Sequence, residues 1–212
     1  MAIFESSLFH RLRNRLGNTV SYTWCGKGIL RARPLQVRNP RTPAQQLVRL
    51  RFKAAGRLSA YFREAALLGF PAPYAVQSHN AFVGANLHIF DVDENKQVHP
   101  DFRRLVCARG KLEKPLVTVR VDDLQFTAEI SGQQLSAYCS RSDDLYAVVW
   151  DCRYPGVWTV PLGKRQGDRT AAFSYPDEFS REHLFIYVFA VSANGRQASD
   201  SHLIFPAGES VM

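Results

Sequence analysis

The chain has 212 residues, 46% of them hydrophobic, and a formal net charge of +8, which is enough apolar material to bury the core of one large domain or two small ones. No run approaches the roughly 18 apolar residues of a membrane span. Arg11, Arg13 and Arg15 sit where a secretory signal would need an apolar stretch. Cys25, Cys107, Cys139 and Cys152 have no C-x-x-C spacing and read as reduced thiols, so the expected compartment is the cytoplasm. The charge is uneven. Met1 to Ala65 holds thirteen Lys/Arg against Glu5 and Glu64, a balance of +11, and the remainder holds fourteen against seventeen, a balance of −3. That segregation marks the first third as the part that meets something anionic.

In chain order, Gly17-Asn18 is a turn signal, and Thr19 to Trp24 alternates like a strand with Val20, Tyr22 and Trp24 on one face. Gly26-Lys27-Gly28 can close a hairpin, from which Ile29 to Ala32 returns until Pro34, with Arg31 and Arg33 on a common side. Aromatics beside arginines suit base stacking and phosphate contact. They equally suit a hairpin packed on the helix that follows. That helix is predicted from Asn39 to Leu68. Thr42 is an N-cap, Pro43 fits the first helical position, and Gln45 completes a capping box. Leu47, Leu50, Ala54, Leu58, Tyr61, Phe62, Ala65 and Leu68 recur as one apolar face, while Arg49, Lys53 and Arg57, four apart, stack into a cationic ridge.

Phe70-Pro71-Ala72-Pro73 ends that helix, and Ser78 is read as the cap of a shorter one with Ala81, Phe82, Ala85 and Leu87 inward. The polar residues 91–101 read as a linker, which divides the chain into a basic hairpin-helix region 1–90, the linker 91–101, and a β domain 102–212. In the last, strands are expected near 103–108, 116–121, 124–130, 145–150, 156–160, 170–173, 184–192 and 197–205. Eight strands at that spacing predict a sandwich of immunoglobulin or fibronectin type III character, with Trp150 as its core tryptophan. The fold class is therefore α+β.

Little chemistry is visible. Asp91, Asp93 and Asn95 begin like an EF-hand loop, but position 6 is Lys96 and position 12 is Phe102. Gly163 to Arg169 is a basic hairpin tip without a phosphate-loop pattern. The six histidines lack metal-ligand spacing. Cys139, in a polar run that suggests exposure, has no partnered base in the sequence. The reading is a non-enzymatic protein with no metal and no cofactor.

Val20 to Gly26, Arg31-x-x-Pro34, Asn39-Pro40-Arg41-Thr42-Pro43-Ala44-Gln45 and Arg49-x-x-Phe52, followed by Leu105 to Leu112 and the stretch from Tyr187 to Ser201, together resemble a large uncharacterised family of Bacteroidota. That family carries W-x-G…R…P…N-P-x-T-x-A-Q…R-x-x-F. Trp24-Cys25-Gly26 departs from its usual W-K-G. The resemblance implies a two-part architecture and bacterial origin, and transfers no catalytic residue.

Two functions follow. The first is docking on a polyanion, with nucleic acid the natural partner, through Arg11, Arg13, Arg15, Lys27, Arg31, Arg33, Arg38, Arg41, Arg49, Lys53 and Arg57. The second is a structural subunit of a homo-oligomeric or phage-like assembly, whose basic region docks on a neighbouring copy. A carbohydrate- or protein-recognition module using Tyr154, Trp158 and Tyr175 ranks third. About eleven excess cations exceed what a surface of −3 neutralises, which places polyanion docking first.

Overall fold

The computed structural model describes residues 2–3, 13–36, 39–122 and 125–206. They form an α+β chain with three α-helices and antiparallel sheets. Arg11, Arg38 and most of the apolar positions at the start of the chain lie outside the described residues. Backbone contacts divide the chain into two compact units, Met1–Thr42 and Pro43–Met212.

The described residues of the first unit form one sheet of β1 (Ala2–Ile3), β2 (Asn14–Leu16), β3 (Thr19–Trp24) and β4 (Lys27–Ala32), in the order β1-β4-β3-β2. The β3–β4 connection is not the expected Gly26-Lys27-Gly28. Trp24 pairs with Lys27, so the loop is the two residues Cys25-Gly26, with φ of 47° and 77°. Positive φ at both positions is the requirement of a type I′ turn, whose twist matches that of the strands.

The second unit begins with α1 (Pro43–Tyr61) and α2 (Arg63–Gly69), where one continuous helix was expected. The break falls at Phe62 (φ −86°, ψ 17°). Its ring is fully buried, stacked on Phe82 at 5.5 Å and edge-on to Trp150 at 5.1 Å. Leu58 and Ala65 of the expected apolar face are buried, whereas Tyr61 is exposed. Helix α3 (Ala75–Asn86) starts at Tyr74 rather than Ser78. Ser78 lies one turn inside, buried, and its hydroxyl donates to the Phe70 carbonyl at 2.7 Å. It ties the helix to the preceding bend instead of capping it.

Residues 91–101 are not a linker. Five of them, with Phe90, form a small ladder, β5 (Phe90–Val92) with β6 (Val98–Pro100), and Phe90 is buried in the core that holds the helices. The strand expected at 103–108 is also absent. Side chains take the backbone groups of Val106 and the N–H groups of Cys107 and Ala108 in place of a ladder. Asn86 accepts from Val106 N–H at 2.8 Å and donates to Val106 C=O at 2.9 Å, and the Ser201 hydroxyl accepts from Cys107 and Ala108 N–H.

Seven strands follow: β7 (Val117–Val121), β8 (Gln125–Ile130), β9 (Asp144–Asp151), β10 (Val157–Lys164), β11 (Arg169–Ser174), β12 (Leu184–Val191) and β13 (His202–Phe205). They make a four-stranded sheet, β10-β9-β12-β13, and a three-stranded sheet, β11-β8-β7. The four-stranded sheet is the middle layer of the unit. Ala147, Val149, Ile186 and Val188 pack with Phe126 and Ile130 of the three-stranded sheet. The alternating residues Val148, Trp150, Tyr187 and Phe189 pack with Phe62, Phe82 and Ile89 of the helical layer. Burial on both faces explains why β9 and β12 read as continuous apolar runs. Trp150 is buried as expected, but against helices and not between sheets.

Candidate functional site

The type I′ turn sets the register of the first unit, and the register decides its faces. Directly paired residues of an antiparallel ladder project to the same side. Arg15 pairs with Val20 and Val20 with Arg31; Ile29 pairs with Tyr22 and with Ile3; Trp24 pairs with Lys27. One face of the sheet therefore carries Arg15, Lys27 and Arg31 interleaved with Tyr22 and Trp24. Arg15, Lys27, Arg31 and Trp24 are exposed, Tyr22 is half-buried, and Ile29 between them is buried. The Arg31 guanidinium carbon lies 5.7 Å from the Tyr22 ring centroid, a cation–π contact that braces the arginine upright on the sheet.

A second group of predicted cations stands in the other unit. Arg49, Lys53 and Arg57 are exposed along α1 at i, i+4 spacing. Arg13, Arg33 and Arg41 are exposed outside both groups. Arg11 and Arg38 lie outside the described residues. No ion pair among the described residues involves Arg15, Lys27, Arg31, Arg33, Lys53 or Arg57. The unit boundary also sharpens the charge asymmetry. Residues 1–42 hold eight Lys/Arg and one Asp/Glu, a balance of +7, whereas residues 43–212 hold nineteen and eighteen, a balance of +1.

Other candidates resolve into structural roles. Arg165, at the supposed basic hairpin tip, is buried and donates to Cys139 Sγ at 3.0 Å and to the Glu113 carbonyl at 2.7 Å. Lys164 pairs with Asp144 at 2.7 Å. That loop does not offer its cations to an anion. Cys139 is buried, contrary to the expectation of exposure. Asp93 of the EF-hand-like stretch accepts from Gln97 N–H at 2.7 Å and contacts His99 at 3.1 Å. These contacts, His99 foremost, hold its carboxyl below the ordinary range. Among the described residues no group of three or more His, Cys, Asp or Glu side chains is placed to hold a metal ion. A cavity of about 320 Å³ between α1, α2 and α3 is lined by Ser59, Arg63 and His79, with Ser59 Oγ 3.1 Å from His79 Nδ1. Ser59 Oγ also lies 2.8 Å from the Gly56 carbonyl, an acceptor that competes with the imidazole for its one hydrogen. Tyr154 and Trp158 are exposed; Tyr175 is buried.

Residues 11–205 match a family of unknown function, DUF6266. The chain belongs to that family. No curated protein and no solved structure matches it. The match runs across both units, so the basic sheet and the layered unit are parts of one family architecture. Among the described residues, no helix is long and apolar enough to cross a membrane.

The aromatic-cationic face was only partly visible in advance. Tyr22, Trp24 and Arg31 each stand out in the sequence, but their common side depends on where the hairpin turns. The signal was the pair Cys25-Gly26 itself, a short loop with glycine in second place.

Proposed function

We propose that the chain is a non-enzymatic nucleic-acid-binding protein, and that it docks a single-stranded segment on the sheet of its first unit. The observation that carries this reading is the register that sets Arg15, Lys27 and Arg31 among Tyr22 and Trp24 on one exposed face. Cations at that density neutralise phosphates without reading sequence. An exposed indole stacks a base only when the base is free of its duplex neighbours, which favours single strands. The charge of +7 on 42 residues supplies the long-range attraction. The ridge of Arg49, Lys53 and Arg57 offers a further phosphate-contacting surface on the second unit.

Fluorescence anisotropy with a labelled single-stranded oligonucleotide over a series of salt concentrations tests this. Three neutralised phosphates give a slope of log K against log salt of about −2, and engagement of the α1 ridge makes it about −4. An affinity indifferent to salt would sink the proposal.

We also place the protein in a bacterial cytoplasm, in the Bacteroidota lineage suggested by its N-P-R-T-P-A-Q block. The seven strands of the second unit are read as a fibronectin type III-like sandwich. The support is a three-plus-four strand division with consecutive strands crossing between two sheets. A second reading, a subunit of a homo-oligomeric or phage-like assembly, draws on Val48 and Phe52, one turn apart on α1 and each about half exposed (49% and 51%). Light scattering that finds a monomer at high concentration removes it.

A further inference from the structure

The second unit contains an open cavity of about 480 Å³ bordered by Arg109, Lys111 and Arg196 on one side and by Phe70, Pro71 and Ala81 on the other. We propose that it is a binding site for an organic phosphate, a ligand with a phosphate group and an apolar or planar body. This inference does not rest on the nucleic-acid reading of the first unit.

The backbone that carries the cations is firmly built. Arg109 N–H donates to the Gly69 carbonyl at 3.0 Å, and Gly110 N–H to Asp200 at 3.1 Å. Gly110 lies so close to residue 198 that a Cβ there would stand 1.9 Å from the Ala198 carbonyl oxygen. Leu112 N–H donates to that same oxygen at 3.1 Å. Arg196 leaves a turn in which Asn194 Oδ1 accepts from its N–H at 3.0 Å. Two segments distant in sequence are thus zipped together, and their three cations border one concavity. No ion pair among the described residues involves any of the three. The opposite wall is equally fixed, since Phe70 is buried and edge-on to Phe82 at 6.1 Å.

This unit has a net charge of only +1, so three like charges at one cavity are not a sample of a generally basic surface. All three are exposed, and the Asp200 carboxylate that accepts from Gly110 N–H offsets part of their charge, which leaves a net positive edge for an anion to share. A phosphate monoester carries about −1.5 to −2 charges and three acceptor oxygens, a better match to two guanidiniums and an ammonium than a single carboxylate. The volume falls within the roughly 300–1,000 Å³ of small-molecule sites, and the apolar wall has a use only if the phosphate bears an organic group.

Isothermal titration of the full chain with adenosine 5′-monophosphate, adenosine and inorganic phosphate tests the site. The expected order is the monophosphate first, inorganic phosphate weaker and adenosine undetectable. Arg109→Gln with Arg196→Gln should weaken the monophosphate at least tenfold with an unchanged melting midpoint. Lys53→Gln with Arg57→Gln should leave it untouched and so separates this site from the α1 ridge. A 5′-phosphorylated oligonucleotide compared with its 5′-hydroxyl form distinguishes a nucleic-acid end from a free metabolite as the source of the phosphate. Adenosine binding as well as its monophosphate, or full affinity in the Arg109/Arg196 variant, overturns the proposal.

Discussion

The two units of this chain solve opposite problems. In the first, whose described residues form one sheet, Ser21 and Ile29 are the only buried residues among those described, and the charge is +7. In the second, three layers bury both faces of a central sheet, and the charge is nearly balanced. A unit of about 40 residues with so little buried surface has small intrinsic stability. The exposed Arg15, Trp24, Lys27 and Arg31 can serve recognition. The second unit draws its stability from packing. Substitutions in the first unit are therefore expected to change binding and leave unfolding alone, and core substitutions in the second to do the reverse.

The strongest test of that contrast is Phe62→Ala. Its ring joins the helical layer to the central sheet through Phe82 and Trp150, so truncation should lower the unfolding free energy by about 3–5 kcal/mol. Helical ellipticity and near-ultraviolet signals should shift together in urea. A helical transition separate from that of the sheet would split the second unit and restore the idea of a linker between helices and sandwich. Next is Gly110→Ala, which drives a methyl group into the Ala198 carbonyl. Such overpacking against backbone is expected to cost about 1–3 kcal/mol, and a variant as stable as the parent would refute the close approach.

Trp24→Ala is the counterpart in the first unit. The indole is 44% exposed at the hairpin end, so the unfolding midpoint should not move. Single-strand affinity should fall by about 1–3 kcal/mol, the contribution of one stacked base. The comparison fails if Trp24→Ala destabilises the fold as Phe62→Ala does, or if it leaves binding unchanged.

These cases also mark how far the sequence could be read. Strands β3, β9 and β12 were legible within a residue or two, because alternation or a long apolar run is a local signal. The ridge of α1 was legible for the same reason. The face of the hairpin was not. A loop of Gly26 to Gly28 would set Arg31 opposite Thr23, whereas the Cys25-Gly26 turn sets it opposite Val20. That odd shift in register moves the arginine to the other side of the sheet. The layering was hidden for a different reason. Continuous apolar runs in β9 and β12 signal burial on both faces, but they do not say what covers the second face. The polar composition of residues 91–101 concealed a ladder anchored in the core by Phe90, with Val98 packed against it. The organic-phosphate cavity joins residues 70, 109 and 196, a proximity that no local pattern encodes.

The smallest expected effect is on pH, and it lies wholly in the second unit. His202 on β13 is held below the ordinary imidazole value, first by burial and then by the charge of Lys114. Its Nδ1 is buried with no hydrogen-bond partner. The folded chain thus favours the neutral ring, and the unfolded chain takes up a proton more readily below about pH 6.5. Stability should decline as pH falls from about 6.5 toward the depressed folded value. Asp93 acts in a lower window. Its carboxyl is depressed by His99 and by Gln97 N–H, so its contribution is present above about pH 3.9 and is lost as pH falls through the lower folded value. His202→Leu should flatten the upper limb of a plot of unfolding free energy against pH, and Asp93→Asn the lower limb. His202→Leu should leave the lower limb intact, because its window lies well above that of Asp93. Trp24→Ala should alter neither, and a change in either limb there would mean that the first unit is coupled to the stability of the second.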